Sequence, residues 1–218
     1  MSVVRVNQIQ DTSTNVAANI SGGVVTFTNP PVGVTVPVPY RVLLETVNIS
    51  EGNNNKIIGS SSTITSAYDT YQVEINYIRA VTINTHISAR AAFNGSPITS
   101  TVYDSTRLRN YNGADAPSGF KYVSQNNFPF AIGESVIAGS NAEYYCRSTV
   151  NIYNPLSTVM DKYFQFDSMY SDSAPFFGRQ QITGRIQSAS VVVNGLVIFT
   201  STAAGFKAGG TMKLYGVN

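Results

Sequence analysis

Residues 71 to 93 read YQVEINYIRAVTINTHISARAAF, two stretches of period-two alternation joined through Ile78-Arg79-Ala80. In a strand, residues i and i+2 point to the same side. The first stretch therefore places Tyr71, Val73, Ile75 and Tyr77 on one face. The second places Val81, Ile83, Ile87, Ala89, Ala91 and Phe93 together, opposite Thr82, Asn84, His86, Ser88 and Arg90. Each stretch has one side for a core and one for water or a partner, and the period excludes a helix.

The same signature recurs from Arg41 onward. Strands are predicted over 41–49, 57–64, 71–79, 81–93, 119–124, 130–138, 144–153, 159–168, 180–187, 189–200 and 210–217. Turn signals punctuate them: Glu51-Gly52-Asn53-Asn54-Asn55, Asn94-Gly95-Ser96-Pro97, Asn112-Gly113, Pro117-Ser118-Gly119 and Gly209-Gly210. No helix-period stretch of useful length interrupts the series, and there is no internal repeat. Many short strands without intervening helices predict an all-β sandwich or barrel. The run SVVVNGLVIFTS is apolar on both parities around Gly195, as in a strand covered on both sides or broken by a bulge. The expected core includes Ile75, Ile83, Ile87, Val150, Ile152, Phe164 and Leu214, with Met212 beside it.

The first forty residues differ. They hold a short apolar run, a Ser/Thr/Asn stretch, a Gly-Gly turn, a brief strand candidate from Val24 to Thr28, and prolines at 30, 31, 37 and 39. Proline removes ladder donors and fixes φ, so residues 29–40 read as an extended connector. The expected division is an arm over 1–40 and a globular domain over 41–218. Such an arm makes no core alone and must dock on its own domain, a neighbouring subunit or a larger assembly.

Composition narrows the function. Charged residues are only 12% of the 218, about half the usual ~25%, with Ser, Thr, Asn, Gln and Gly in their place. The 14 basic and 12 acidic side chains are scattered, whereas nucleic-acid binders concentrate positive charge; no nucleic-acid role is expected. No apolar run reaches transmembrane length, so no membrane insertion is expected. The opening MSVVRVNQIQ lacks the layout of a secretory signal; a protein of this kind would leave a cell in a particle or by lysis. Cys146 is alone, which excludes an intrachain disulfide, and its parity with Val150 and Ile152 predicts a buried thiol. The single histidine, His86, falls on the polar face of its predicted strand, exposed or at an interface. No HExxH, P-loop, dinucleotide fingerprint or nucleophile elbow is present. The expectation is a non-enzymatic protein without catalytic residues, cofactor or metal.

Two segments carry the chemistry of a glycan or partner contact, in which aromatics offer stacking surfaces beside amides and charges. Tyr103, Asp104, Arg107, Arg109, Tyr111 and Asn112 occupy one stretch, read as a loop. Asp167, Tyr170, Phe176 and Phe177, with Asp172 and Arg179, occupy a second, whose Ser/Pro-rich part also reads as a loop. In the second, cover for the end of the core or a subunit seam competes with sugar binding.

The stretch SSSTITSAYDTYQVEINYIRAVTINTHISARAAFNGS resembles the opening strands of a jelly-roll domain common in tailed-bacteriophage virion proteins, particularly tail-fibre and baseplate-associated ones. In that family an aspartate-tyrosine pair leads a strand, here Asp69 with Tyr71. A short connector and a strand ending in an Asn-Gly turn follow, here Ile78-Arg79-Ala80 and Ile87 to Gly95. The ending is similar too: Gly209-Gly210, then a strand closing on Leu214-Tyr215-Gly216. The opening VRVNQIQDTSTN is like the attachment segment of many marine-phage tail and fibre proteins, which would make Val4, Val6 and Ile9 virion-attachment residues. The similarity covers most of 41–218 plus this opening. It implies an antiparallel jelly-roll sandwich with an extended N-terminal arm, assembled as a homotrimer and located in the virion among other tail or capsid proteins. Receptor-binding fibres often carry a long shaft, and only about forty residues precede the domain here. A knob, fibre adaptor or capsid decoration is therefore expected first, and a receptor- or host-glycan-binding fibre head second.

Overall fold

A computed structural model describes residues 8–10, 16–21, 24–27, 41–82, 85–111, 118–131, 145–171, 177–188 and 190–217. The chain divides into two units, Met1–Pro39 and Tyr40–Asn218. In the first, β1 (Gln8–Gln10), β2 (Val16–Ser21) and β3 (Val24–Phe27) pair in that order as an antiparallel sheet. β3 coincides with the predicted strand, and Ile9 is the middle residue of β1, opposite Ala18. Val4, Val6 and the proline-rich connector lie outside the described residues.

The second unit contains β4 (Arg41–Asn48), β5 (Asn55–Ile58), β6 (Thr70–Ile78), β7 (Ile87–Phe93), β8 (Ser96–Pro97), β9 (Tyr103–Tyr111), β10 (Ser118–Gln125), β11 (Phe128–Ala131), β12 (Cys146–Tyr153), β13 (Lys162–Ser171), β14 (Phe177–Ile186), β15 (Gly195–Thr200) and β16 (Thr211–Val217). There is no helix among the described residues. An eight-stranded sheet runs β10-β9-β14-β13-β12-β6-β16-β4, and a smaller one runs β11-β7-β15-β5, with β8 paired to β7. Every pairing is antiparallel. The unit is an all-β sandwich. Four pairs are nested in sequence: β4 with β16, β5 with β15, β6 with β12 and β7 with β11. The strands β9, β10, β13 and β14 fall inside this nest and widen the larger sheet past β12.

The core is where alternation places it. Ile75, Ile87, Val150, Ile152, Phe164, Met212 and Leu214 are all fully buried in one cluster drawn from both sheets; Ile83 lies outside the described residues. Phe128 of β11 meets Phe164 and Phe166 of β13 at ring separations of 4.9 and 5.4 Å, and Tyr103 of β9 edge-on at 4.8 Å. β15 is buried on both parities, as its sequence predicts.

Several strand expectations are corrected. Of the strand expected over 81–93, the described residues 81, 82, 85 and 86 are not strand and β7 starts at Ile87; Thr82 and Thr85 bond to each other and to Thr202, beyond β15, through their hydroxyls. His86 is therefore half-buried ahead of a strand, its N–H donating to Ser201 Oγ at 3.0 Å. β5 ends at Ile58 because Gly59 turns the chain with φ +94°, where a Cβ would sit 2.9 Å from the Asn194 carbonyl oxygen. Phe93, assigned to the core, is exposed beside the Asn94-Gly95 turn, and Ala92 is buried instead. β11 starts before the 130–138 candidate, whose residues 132–138 lie outside the described set.

The largest correction concerns Tyr77. Parity assigns it to the core with Ile75, yet it is 58% exposed and Ile78 is buried. The ladder to β12 slips there: Ser148 faces Ile75, but Cys146 faces Ile78. Tyr77 is the extra residue of this bulge and takes φ +55°, which turns its side chain outward.

Candidate functional site

The segment 103–112, read as a loop, is strand β9 through Tyr111, paired on both sides. Strand alternation splits its candidates between two faces. Asp104 faces outward, while Arg107 and Arg109 face inward and are only 4% and 7% exposed. Charge at alternate positions conceals this strand in the sequence. The Arg107 guanidinium lies 4.3 Å from the Phe120 ring and 5.3 Å from Tyr122, both on β10, and Arg109 lies 5.9 Å from Phe120. Stacking on aromatic faces makes a buried guanidinium tolerable there. Asn112, Asp172 and Phe176 lie outside the described residues, and Tyr111 closes β9.

The second candidate group is also mostly strand. Tyr170 faces inward on β13 and is buried, Asp167 faces outward on the same strand, and Phe177 begins β14 with 66% exposure. Arg179, opposite Met169 on the neighbouring strand, donates to Asp167 from Nε at 2.9 Å and Nη2 at 2.5 Å. This paired hydrogen bonding holds the Asp167 carboxyl below its ordinary range. Asp167 thus offers acceptors and no acidic proton near neutrality.

The exposed face of the large sheet organises these residues. Outward positions of β12 (Arg147, Thr149, Asn151 and Tyr153) form the floor of a trough between β13 and β6. A cavity of about 460 Å³ covers its Arg147–Asp167–Arg179 end. A second, of about 490 Å³, covers the Tyr153–Tyr68–Asp69 end, and Asn151 lines both. Gln72 donates to Asn151 Oδ1 at 2.9 Å, and Tyr153 donates to Gln165 Oε1 at 3.1 Å. Thr149, Asn151 and Tyr153 are half-buried.

Tyr77 and Tyr145 stand at the Arg147 end. Their rings are 5.3 Å apart and tilted by 54°, with Tyr145 41% exposed. Sequence reasoning missed Tyr77 as a surface residue. The available signal was Ile78, an apolar residue of the wrong parity directly after it.

The remaining outward cluster is electrostatic. Asp104 accepts from Ser124 N at 2.9 Å, from Arg185 Nη2 at 3.2 Å and from Gln187, which lowers its pKa through the Ser124 bond first. Beside it is a smaller cavity of about 260 Å³, lined in part by Tyr122, Tyr163 and Arg185. Among the described residues no three His, Cys, Asp or Glu side chains converge as metal ligands would, and no helix is long and apolar enough to cross a membrane.

Comparison with protein-family models, curated proteins and solved structures finds no match for this chain. The fold and the face define an all-β sandwich with a polar, aromatic-ended trough across its larger sheet.

Proposed function

We propose that this chain is a structural component of a tailed-phage virion, with its first unit anchoring it to another virion protein and its second unit a jelly roll. The placement is a tail or fibre knob, a fibre adaptor or a capsid decoration, and the working assembly is a homotrimer. The observation that carries the jelly-roll reading is the nesting of β4–β16, β5–β15, β6–β12 and β7–β11. A jelly roll is a long antiparallel hairpin rolled into two facing sheets, so its first strand pairs with its last and each inner pair follows. On this reading β9, β10, β13 and β14 are two inserted hairpins that extend one sheet. The virion reading is supported by the resemblance of Ser60–Ser96 and of the closing Leu214-Tyr215-Gly216, and by a separate N-terminal unit.

Deleting residues 1–40 tests the anchor. The truncated protein should keep the sandwich's circular dichroism and thermal transition but fail to enter particles. Full incorporation of the truncated chain overturns the anchoring role. Copy number in purified particles places the protein: hundreds of copies for a decoration, a small multiple of three or six for a tail part. Light scattering that gives a stable monomer of 23.5 kDa at micromolar concentration overturns the trimer.

A further inference from the structure

Tyr77 combines two unfavourable features. A non-glycine residue at φ +55° is strained, and its ring is 58% exposed. Its aromatic neighbour among the described residues, Tyr145, is itself exposed. Burial in the sandwich therefore does not account for the position of this ring. The bulge delivers an aromatic surface to the mouth of the trough, beside Arg147.

We propose that the Tyr77–Tyr145 pair and the trough along β12 form a binding site for an extended, uncharged oligosaccharide. Arg147 and Tyr153 are six residues apart, so the floor is about 20 Å long, room for several sugar rings end to end. Aromatic rings stand at both ends, Tyr77 and Tyr145 at one and Tyr153 at the other, where the half-buried Tyr68 also lines the cavity while packing on Tyr71. Tyrosine faces pack against the C–H surfaces of pyranose rings. Between them, sugar hydroxyls need paired donors and acceptors. Asn151 and Gln165 each have the oxygen engaged by a neighbour and the NH2 without a hydrogen bond among the described residues, while Asp167 offers carboxylate acceptors.

Charge selects a neutral ligand. Asp167 is neutralised by Arg179, which leaves Arg147 at one end and the exposed Asp69 at the other as the remaining charged residues lining the two cavities. A polyacidic ligand running the length of the floor would gain one cation at Arg147 and meet repulsion from Asp69 at the other end. An extended peptide is disfavoured because β6, β12 and β13 are interior strands whose backbone groups are already paired, so strand addition is closed to it. The site is independent of virion location: it stands or falls on the surface alone.

The test is an array of immobilised neutral and acidic oligosaccharides probed with the full chain, followed by calorimetric titration of its strongest ligand. Three variants accompany the native protein. Tyr77→Gly removes the ring while keeping a residue that accepts positive φ, Asn151→Ala empties the centre of the trough, and Val159→Ala changes an exposed residue away from it. The expected result is retention of an uncharged linear oligosaccharide, weakened tenfold or more by Tyr77→Gly and by Asn151→Ala and unchanged by Val159→Ala. Circular dichroism and the thermal transition verify that each variant is folded; replacing Asn151→Ala by Asn151→Asp keeps the test alive if the alanine variant is not. Absence of any retained glycan, retention of acidic glycans alone, or affinity indifferent to Tyr77→Gly and the folded Asn151 variant overturns the proposal. So does loss of self-association in Tyr77→Gly without loss of sugar binding, which would make the surface a contact between copies.

Discussion

Asn94 and Asn194, one hundred residues apart in sequence, hold each other by two hydrogen bonds. The Asn94 N–H donates to Asn194 Oδ1 at 2.8 Å, and Asn194 Nδ2 donates to Asn94 Oδ1 at 2.9 Å. Asn94 takes φ +48° and Gly95 φ +76°, the two left-handed positions that an Asn-Gly hairpin turn requires. The turn after β7 is thus clamped by the residue that leads into β15. Asn194→Ala removes both bonds and leaves the Asn94 N–H without its acceptor. It should cost about 1–3 kcal/mol, read as a lower urea midpoint at unchanged slope. A loss below about 0.5 kcal/mol would show that water replaces the clamp.

Gly184 of β14 lies against the Phe128 ring, closer than any Cβ could stand. Phe128 is fully buried and wedged among Tyr103, Phe164 and Phe166, so the ring cannot yield without moving its neighbours. Gly184→Ala should destabilise by about 1–3 kcal/mol. Phe128→Leu in the same chain should restore part of that loss, a coupling measurable by a double-mutant cycle. Simple additivity of the two would place the strain elsewhere.

The Cys146 thiol is fully buried, and burial pushes its pKa up to about 12. The thiolate is the reactive form. In native protein at pH 8 a disulfide-exchange reagent should leave Cys146 unmodified for hours, and in 6 M guanidinium it should label one thiol per chain promptly. Prompt labelling of the native protein would mean that the β12 end of the sheet opens.

Asp104 and Asp167 both have lowered pKa values, Asp104 chiefly through the Ser124 N–H and Asp167 through the Arg179 hydrogen bonds. A folded-state pKa below the unfolded ~3.9 means that the native state binds these protons less readily. Their contribution is complete above that value and is lost as pH falls through the lower folded pKa. Asp104→Asn should therefore reduce stability at pH 7, and its deficit against the native protein should shrink below pH ~4. A deficit that is constant from pH 7 to pH 2 would assign the loss to packing.

Legibility in the sequence followed the range of the interaction. The inward positions Val73, Ile75, Val150, Ile152, Met212 and Leu214 and the buried Cys146 were readable because alternation is a property of residues two apart. The Asn94-Gly95 turn was readable because its backbone demands are local. β9 was not. Its inward Arg107 and Arg109 look like loop chemistry until Phe120, on another strand, is known to lie against them. Asp167 was singled out from sequence and alternation puts Arg147 and Asn151 on the face opposite Cys146, but nothing local brings them together with Gln165. They gather only because β12 and β13 pair in one particular register.

By itself, then, the sequence determined the all-β class and which side of most strands faces the core, since burial follows a two-residue period that neighbouring side chains encode. The tertiary structure alone decided the partners of each strand, the placing of β13 and β14 beyond β12 and the outward turn of Tyr77. Pairing and bulges depend on how many residues oppose each other across two distant segments, and a slip of one residue reverses every side chain beyond it.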